Sequence, residues 1–290
     1  MVTLALPTGS LHESTLRLFA AAGLTVRRAS SRALRADIDF PGIDGVVFGK
    51  PREIPGFVAD GTFSLGLTGT DWIEESGAKL EVVHEIGYSK TTSTGWRVVL
   101  AVPADDPASS PADLPAGVRV ASEYPAIARR YFGEELGLEA RVLHSYGSTE
   151  AKVPDLADAV LEVVETGASL RHNGLRELAT VRRCGVQLVA GALAWADPVV
   201  RGVAEKIAML LRAARAAEEN VLLTVVTPVS RWSAVRAGLS GTWWVLDSGP
   251  DVAVAQVTCA RERAAEVVVR LTGAGAVQVV ETPVSKLVVA

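Results

Sequence analysis

The sequence predicts an α/β protein of two β–α lobes facing a cleft, followed by a small α+β domain. Three observations carry that reading. Short apolar runs alternate with helical patterns from the N-terminus onward, the rhythm of a parallel or mixed sheet covered by helices. The 290 residues are too many for one typical domain and ample for two or three. The 49% hydrophobic content includes few rings, since aromatic residues make up 6%. The cores are therefore expected to be Ala, Val and Leu, as where helices pack on sheets.

Residues 2–6 read as a strand, Pro7-Thr8-Gly9 as a turn, and the spacing of Leu11, Leu16, Leu18 and Phe19 as a helix running to Gly23. A second strand follows at 46–48, a short helix at 53–60, and a third strand at 65–67 ending in Thr68-Gly69. A composition shift near Trp96 opens a second β–α set, with a strand at 96–102 and a Pro/Asp/Ser-rich surface loop over 103–115. The set continues with a strand at 118–121, a helix at 125–136 and strands at 140–144 and 157–164. The chain then returns towards the first set through a strand-like stretch at 187–193 and a long Ala/Leu/Arg helix over 198–217. The last segment changes rhythm, with strands at 221–226, 243–246, 252–258 and 277–282 and a helix over 261–272. The expected boundaries are residues 1–95 with 181–217 for the first lobe, 96–180 for the second, and 218–290 for the C-terminal domain. Two lobes with crossing chains leave a cleft between them, a favoured place for a small-molecule site.

A formal net charge of −4 leaves no electrostatic footprint for nucleic acid or an anionic membrane. Any phosphate ligand must be held by local geometry. Cys184 and Cys259 lie far apart, which argues against a disulfide framework or a cysteine zinc site. His12, His84, His144 and His172 are scattered, so no resident metal site is expected. The N-terminus shows no signal-peptide pattern and the apolar runs are too short to span a bilayer, so the expected setting is the cytoplasm. Arg129-Arg130 and Arg182-Arg183 read as solvated charge, and Trp243-Trp244 as core packing or an interface.

The most informative stretch is ADAVLEVVETGASLRHNGL, residues 157–175. Its Ala/Val run forms a buried strand bracketed by Asp158 and Glu162, then breaks into Glu165-Thr166-Gly167-Ala168-Ser169, a loop of small residues opening a helix. Backbone N–H groups, two hydroxyls and a helix N-terminus can surround a phosphate there. The carboxylates can meet ribose hydroxyls or orient Mg²⁺ on a pyrophosphate. The same residues equally describe an ordinary strand-to-helix turn with a Ser or Thr cap.

This stretch closely resembles the phosphoribosyl-pyrophosphate (PRPP) loop of the ATP phosphoribosyltransferases, down to the trailing Asn173-Gly174-Leu175. Four further blocks resemble the family in its order: LALPTGSL at the start, EIPGFVADGTFSLGLTGTDWIEE from Glu53, RVASEYPAIARRYF from Arg119 and YGSTE from Tyr146. Together they cover most of residues 1–217; the C-terminal segment is more weakly similar to the regulatory domain of the long-form enzymes. The resemblance implies a two-lobed, periplasmic-binding-protein-like catalytic part with the site in its cleft, plus a small ferredoxin-like α+β domain. It implies that N1 of ATP attacks C1 of PRPP and Mg²⁺-bound pyrophosphate leaves, in histidine biosynthesis or a duplicate serving specialised nucleoside metabolism. It also implies a homo-oligomer, hexamer or dimer. Thr166, Gly167, Ala168 and Ser169 are then expected to hold the 5′-phosphate, with Asp158 and Glu162 near the ribose and Glu165 and Leu170 completing the PRPP-binding stretch. Gly9, Ser10, Lys50, Thr68, Gly69, Tyr124 and Glu150 are expected in the nucleotide cleft, and the metal is carried by the substrate pyrophosphate.

The sequence departs from the family pattern at the first turn, where Thr8 and Ser10 stand at positions usually held by Lys and Arg. Lys50 stands for an Arg, Glu53 for an Asp and Ser64 for another Asp, and the segment 89–95 is longer than the family norm. Lys90, Arg52 or Arg97 could supply replacement charge. Two other readings fit these departures: a transferase with another purine-like acceptor, and a non-catalytic nucleotide-binding relative. The poor match over 231–247 predicts weak or absent inhibition by histidine.

Overall fold

The computed structural model describes residues 1–88 and 95–288. Residues 89–94, which hold Lys90 and most of the long segment noted above, lie outside the described residues. The chain forms two compact units, Met1–Arg17 with Leu24–Ala208 and Leu18–Gly23 with Met209–Ala290.

The first unit contains two sheets. One is built from β1 (Thr3–Pro7), β2 (Val26–Arg28), β3 (Arg35–Ile38), β4 (Gly45–Gly49), β5 (Leu65–Gly69) and β6 (Glu81–Glu85), with β12 (Val186–Ala190) joining late, in the order β2-β3-β4-β1-β5-β12-β6. Its centre, β4-β1-β5, is parallel, and the remaining pairs are antiparallel. The second sheet holds β7 (Trp96–Pro103), β8 (Val118–Ser122), β9 (Ala140–His144), β10 (Ala159–Val164) and β11 (Leu175–Cys184) in the order β11-β7-β10-β8-β9. Central β10 packs Val160 and Val164 with Val99, Ala101, Leu170 and Leu175 in a dry cluster of small aliphatic side chains. The chain crosses between sheets twice, after β6 and after β11, and Ile86 N–H donates to the Val186 carbonyl at 2.9 Å where the crossings meet. This is the two-lobed α/β arrangement that the sequence predicts.

The helices that precede β13 are α1 (His12–Ala21), α2 (Ile54–Ala59), α3 (Thr70–Ser76), α4 (Pro125–Arg130), α5 (Ala168–His172), α6 (Ala192–Ala196) and α7 (Pro198–Glu219), and of these α3, α4 and α5 matter for the site. Helix α3 carries Asp71 in its first turn, where the helix dipole favours a carboxylate, and stops at Gly77 in the left-handed conformation. Its acidic face reaches the second lobe. Glu75 accepts hydrogen bonds from the backbone N–H groups of Ala126 and Ile127 at 2.9 Å, capping α4 from outside its own segment. Glu74 pairs with Arg130 at 3.2 Å and Arg182 at 2.9 Å, and Arg182 also pairs with Glu135. Arg130 and Arg182 are therefore not the solvated charges expected from the sequence; burial of one face of each element leaves them partly covered beside carboxylates. The helix expected over 125–136 is α-helical only to Arg130 and continues as a wider π turn over Tyr131–Glu135.

The second unit follows the order β13 (Asn220–Pro228), α8 (Trp232–Ala237), β14 (Trp243–Ser248), β15 (Val252–Ala260), α9 (Ala264–Gly273), β16 (Gln278–Pro283). The sheet order β14-β15-β13-β16, antiparallel throughout, is the ferredoxin-like arrangement. Alternate residues of β13 and β15 are buried, and Val221, Leu223, Val225 and Val257 pack with Val235, Val267 and Leu271 of the helices. Trp243 packs on this core, whereas Trp244 is exposed.

The cap on α4 gives a first prediction. Glu75→Ala removes the acceptor for two helix-end N–H groups and is expected to destabilise the protein by about 1 kcal/mol, within the range for lost helix caps. Urea unfolding of wild type and variant measures it; an unchanged midpoint refutes the cap's contribution.

Candidate functional site

A cleft of about 680 Å³ lies between the two sheets of the first unit. Its first wall comes from the turn after β1 (Thr8, Gly9, Ser10, Leu11), the turn after β4 (Lys50, Pro51, Arg52) and the start of α3 (Asp71, Trp72). Its second wall comes from Trp96, from Glu123 and Tyr124 after β8, from Tyr146, and from Glu162, Val163 and Glu165 at the end of β10. Apart from Trp96 and Tyr146, these residues sit at or just beyond the carboxyl ends of β1, β4, β5, β8 and β10, where open α/β sheets present ligand sites.

The walls differ in charge. Lys50 and Arg52 on the first face Glu123, Glu162 and Glu165 on the second. Burial pushes the Glu162 carboxyl above the usual carboxylate range, and the nearby carboxylates of Glu123 and Glu150 push the same way. The Thr149 hydroxyl and the Val163 N–H, the latter 2.8 Å from Glu162 Oε1, oppose the shift. A cation brought by a ligand would relieve this crowding. Behind Glu162, Lys152 Nζ donates to Ser145 Oγ and the Gly147 carbonyl at 2.7 Å each, and Ser145 Oγ and Thr149 Oγ1 lie 2.9 Å apart. The YGSTE segment is thereby pinned from within.

The floor of the cleft is aromatic. Tyr124 Oη and Trp96 Nε1 both donate to Asp71 Oδ2, at 2.8 and 3.1 Å. The Tyr124 ring packs on Trp72 with centroids 4.4 Å apart and planes tilted by 35°. Burial pushes the Asp71 carboxyl up, against the hydrogen bonds from Tyr124, Trp96 and the backbone N–H groups of Trp72 and Asp71 itself. The Tyr124 phenol is likewise raised, by burial first and then by the Asp71 carboxylate.

The loop after β10 turns at Gly167, whose φ of +72° favours glycine; a Cβ there would also lie 2.9 Å from Arg171 Nη1 and 3.1 Å from Glu177 Oε1. Thr166 and Ser169 are exposed, the Ala168 N–H points to Thr166 Oγ1 at 3.4 Å, and Ser169 Oγ donates to Glu150 Oε1 at 2.5 Å.

Of the residues singled out from the sequence, Gly9, Ser10, Lys50, Tyr124, Glu162 and Glu165 line the cleft. Thr166, Gly167, Ala168 and Ser169 follow beyond its lining, and Glu150 reaches the loop through Ser169. Leu170 is a core residue. Thr68 is buried and donates to the Pro51 carbonyl at 2.8 Å, tying β5 to the turn that carries Lys50 and Arg52. Gly69 also lies off the lining, beneath Asp71 and Trp96. Asp158 is placed elsewhere, at the opposite end of β10 from Glu162, where its carboxylate holds the Arg119 backbone N–H at 2.8 Å and the guanidinium at 2.6 Å. The strand carries these two acids to opposite ends, so only Glu162 reaches the cleft. Asp71, Trp72, Trp96, Glu123 and Tyr146 were not singled out as site residues. Their one sequence signal is membership of the blocks quoted above, which Asp71, Trp72, Glu123 and Tyr146 share and Trp96 does not. Among the described residues no group of three or more His, Cys, Asp or Glu could hold a metal ion, and no helix is long and apolar enough to cross a membrane.

Comparison with known proteins identifies this arrangement. The family model for ATP phosphoribosyltransferase (HisG) matches residues 50–213. An ATP phosphoribosyltransferase of Nitratidesulfovibrio vulgaris is 36% identical over 301 aligned residues, covering 99% of this chain and 98% of that protein. This chain belongs to the ATP phosphoribosyltransferase family. Another member, from Koribacter versatilis, is 38% identical and is matched over 98% of both chains. The fold is shared with a chain of the ATP phosphoribosyl transferase (HisG:HisZ) complex from Thermotoga maritima, with a TM-score of 0.59 at 24% identity, covering 73% of this chain and 96% of that one.

The Arg119 contact yields a pH prediction. Hydrogen bonding from Arg119 holds the Asp158 carboxyl below its ordinary value. A depressed folded-state value means stabilisation that is present above the unfolded value of about 4 and lost as pH falls through the folded one. Asp158→Asn is therefore expected to be less stable than wild type at pH 7, with the gap closing under strong acid. Thermal unfolding of both proteins at the two pH values measures it, and a gap that persists in acid contradicts the assignment.

Proposed function

We propose that the cleft transfers the phosphoribosyl group of PRPP to N1 of ATP. What supports this reading most is the continuous path from Glu162 and Glu165 at the cleft into the Thr166–Ser169 turn, whose Thr166, Ala168 and Ser169 are exposed, in a chain of this family. The 5′-phosphate sits against the N–H groups and hydroxyls of that turn, where the first-turn N–H groups of a helix lack carbonyl partners. Glu162 and Glu165 meet the ribose hydroxyls. Asp158, committed to Arg119, takes no part. The adenine lies on the aromatic floor with N1 directed at C1. The N1 lone pair forms the new bond to C1, and the C1–O bond breaks with its electrons leaving on pyrophosphate.

Little covalent work falls to side chains in such a transfer, so positioning and electrostatic stabilisation dominate. Mg²⁺ enters as part of the substrate, bound to the pyrophosphate. Its charge offsets the acidic second wall, while Lys50 and Arg52 face the departing phosphates in the absence of cations at Thr8 and Ser10. The C-terminal unit is a regulatory-like domain, the working form is a homo-oligomer (hexamer or dimer), and the setting is the cytoplasm. The first sheet, completed by β12, acts as one catalytic lobe and the second, which runs to Cys184 of β11 rather than to residue 180, as the other.

The test is a steady-state assay with ATP, PRPP, Mg²⁺ and pyrophosphatase, following N1-phosphoribosyl-ATP. Wild type is expected to turn over. Gly167→Asp, which strains a left-handed residue and puts an anion where the phosphate sits, is expected to lose at least about 100-fold in kcat/KM. Lys50→Ala is expected to lose about tenfold in kcat. Absence of product from wild type despite retained nucleotide binding would favour another purine-like acceptor or a binding-only relative. In the same assay millimolar histidine is expected to inhibit weakly or not at all; strong inhibition at micromolar histidine would overturn that expectation.

A further inference from the structure

We infer that Asp71 is a positioning residue for the purine ring of the acceptor, acting by anchoring Tyr124 and Trp96 so that the aromatic floor of the cleft is set before the nucleotide arrives. The inference rests on reading the cleft as a nucleotide site, and it goes beyond that reading in assigning a task to a residue that does not touch the reacting atoms.

The geometry carries it. Asp71 is only 2% exposed, and a single oxygen, Oδ2, accepts both the Tyr124 hydroxyl at 2.8 Å and the Trp96 indole N–H at 3.1 Å. A buried carboxylate held only by neutral donors is a costly device if its task is only to fill space, because an apolar or amide side chain does that without desolvating a charge. The backbone also makes room for it. A Cβ on Gly69 would lie 2.1 Å from Asp71 Oδ1 and 2.7 Å from the Trp96 ring, so glycine permits the approach of both.

The two rings held by Asp71 belong to the other lobe. Tyr124 follows β8 and Trp96 opens β7, while Asp71 and Trp72 belong to α3. The Tyr124 backbone N–H donates to Ser122 Oγ at 2.8 Å, so the base of the side chain is tied to β8 and its hydroxyl end to α3. Trp72, the next residue after Asp71, packs on the same ring. Asp71, Trp72, Trp96 and Tyr124 all line the cleft. A purine recognised by stacking depends on the orientation of those rings, since a base–aromatic contact contributes only when the faces meet. Fixing the rings in advance removes the ordering cost from the binding step.

The deciding measurement is equilibrium binding of Mg²⁺-ATP and, separately, of Mg²⁺-PRPP, by titration calorimetry on the full chain. Asp71→Ala is expected to weaken ATP binding about tenfold and to leave PRPP binding within about twofold. Asp71→Asn keeps an acceptor oxygen and is expected to recover most of the loss. Tyr124→Phe keeps the ring but loses the anchored hydroxyl, and is expected to weaken ATP binding by about threefold. If Asp71→Ala does not fold, the contrast between Tyr124→Phe and Asp71→Asn decides, because a merely structural role predicts unchanged ATP affinity in both. Unchanged ATP affinity in Asp71→Ala overturns the inference, and so does equal weakening of ATP and PRPP. Binding is read without turnover, so a protein that shows this selective loss yet forms no N1-phosphoribosyl-ATP refutes the transferase reading while sustaining the role of Asp71.

Discussion

Three carboxylates on one seven-residue helix hold the catalytic unit in register. Asp71, Glu74 and Glu75 of α3 each engage a different kind of group from the second lobe: ring donors, guanidinium groups and the N–H groups of a helix end. None of these contacts is strong alone. Ion pairs that are a quarter to two-fifths exposed, such as Glu74 with Arg130, contribute little by themselves. Their value is geometric, because all three originate from one short rigid element whose first turn lines the cleft. The spacing of these contacts between the lobes is thereby set by covalent spacing along α3.

The acidic part of the second wall is arranged differently. There the acidic side chains crowd one another, and the Lys152–Ser145–Thr149 network stiffens the segment behind Glu162. The second wall thus places acidic groups that gain from an incoming cation beside a fixed aromatic floor. Thr8 keeps its own structural task, with its backbone N–H and its hydroxyl both donating to the Gly49 carbonyl, at 2.8 and 3.0 Å. The first turn therefore stays joined to β4 although its side chains carry no charge.

What could be read from the sequence follows from how each element makes its living in the fold. The buried strands at β1, β7, β10, β13 and β15 announce themselves as continuous or alternating apolar runs, because two faces or one face of each is dry. Strand β11 went unread because LRELATVRRC carries Arg176, Glu177, Arg182 and Arg183; its charges are accommodated by partners such as Glu74 and Arg97 on other elements, and two bulges break its alternation. Helix α3 was missed because seven residues with two acids near the end leave no apolar period to see. The same limit applies to the site. Glu162 stands in a motif, whereas Asp71 matters through Tyr124 and Trp96, which are 53 and 25 residues away. Asp158 and Glu162 sit in one motif but at opposite ends of β10, a distinction that needs the pairing with β8 to be known.

The late arrival of β12 has a consequence for synthesis. Strand β6 pairs with β12 alone in its sheet, and β12 begins only at Val186, after the entire second sheet has been threaded through. As the chain leaves the ribosome, β6 emerges without a neighbour and waits for about a hundred residues of later sequence, while the sheet formed by β7 to β11 already has all its strands. The lobe that comes first in the sequence is thus the last to be completed, and a nascent chain stopped before Val186 exposes an open edge on β5 that nothing upstream can close.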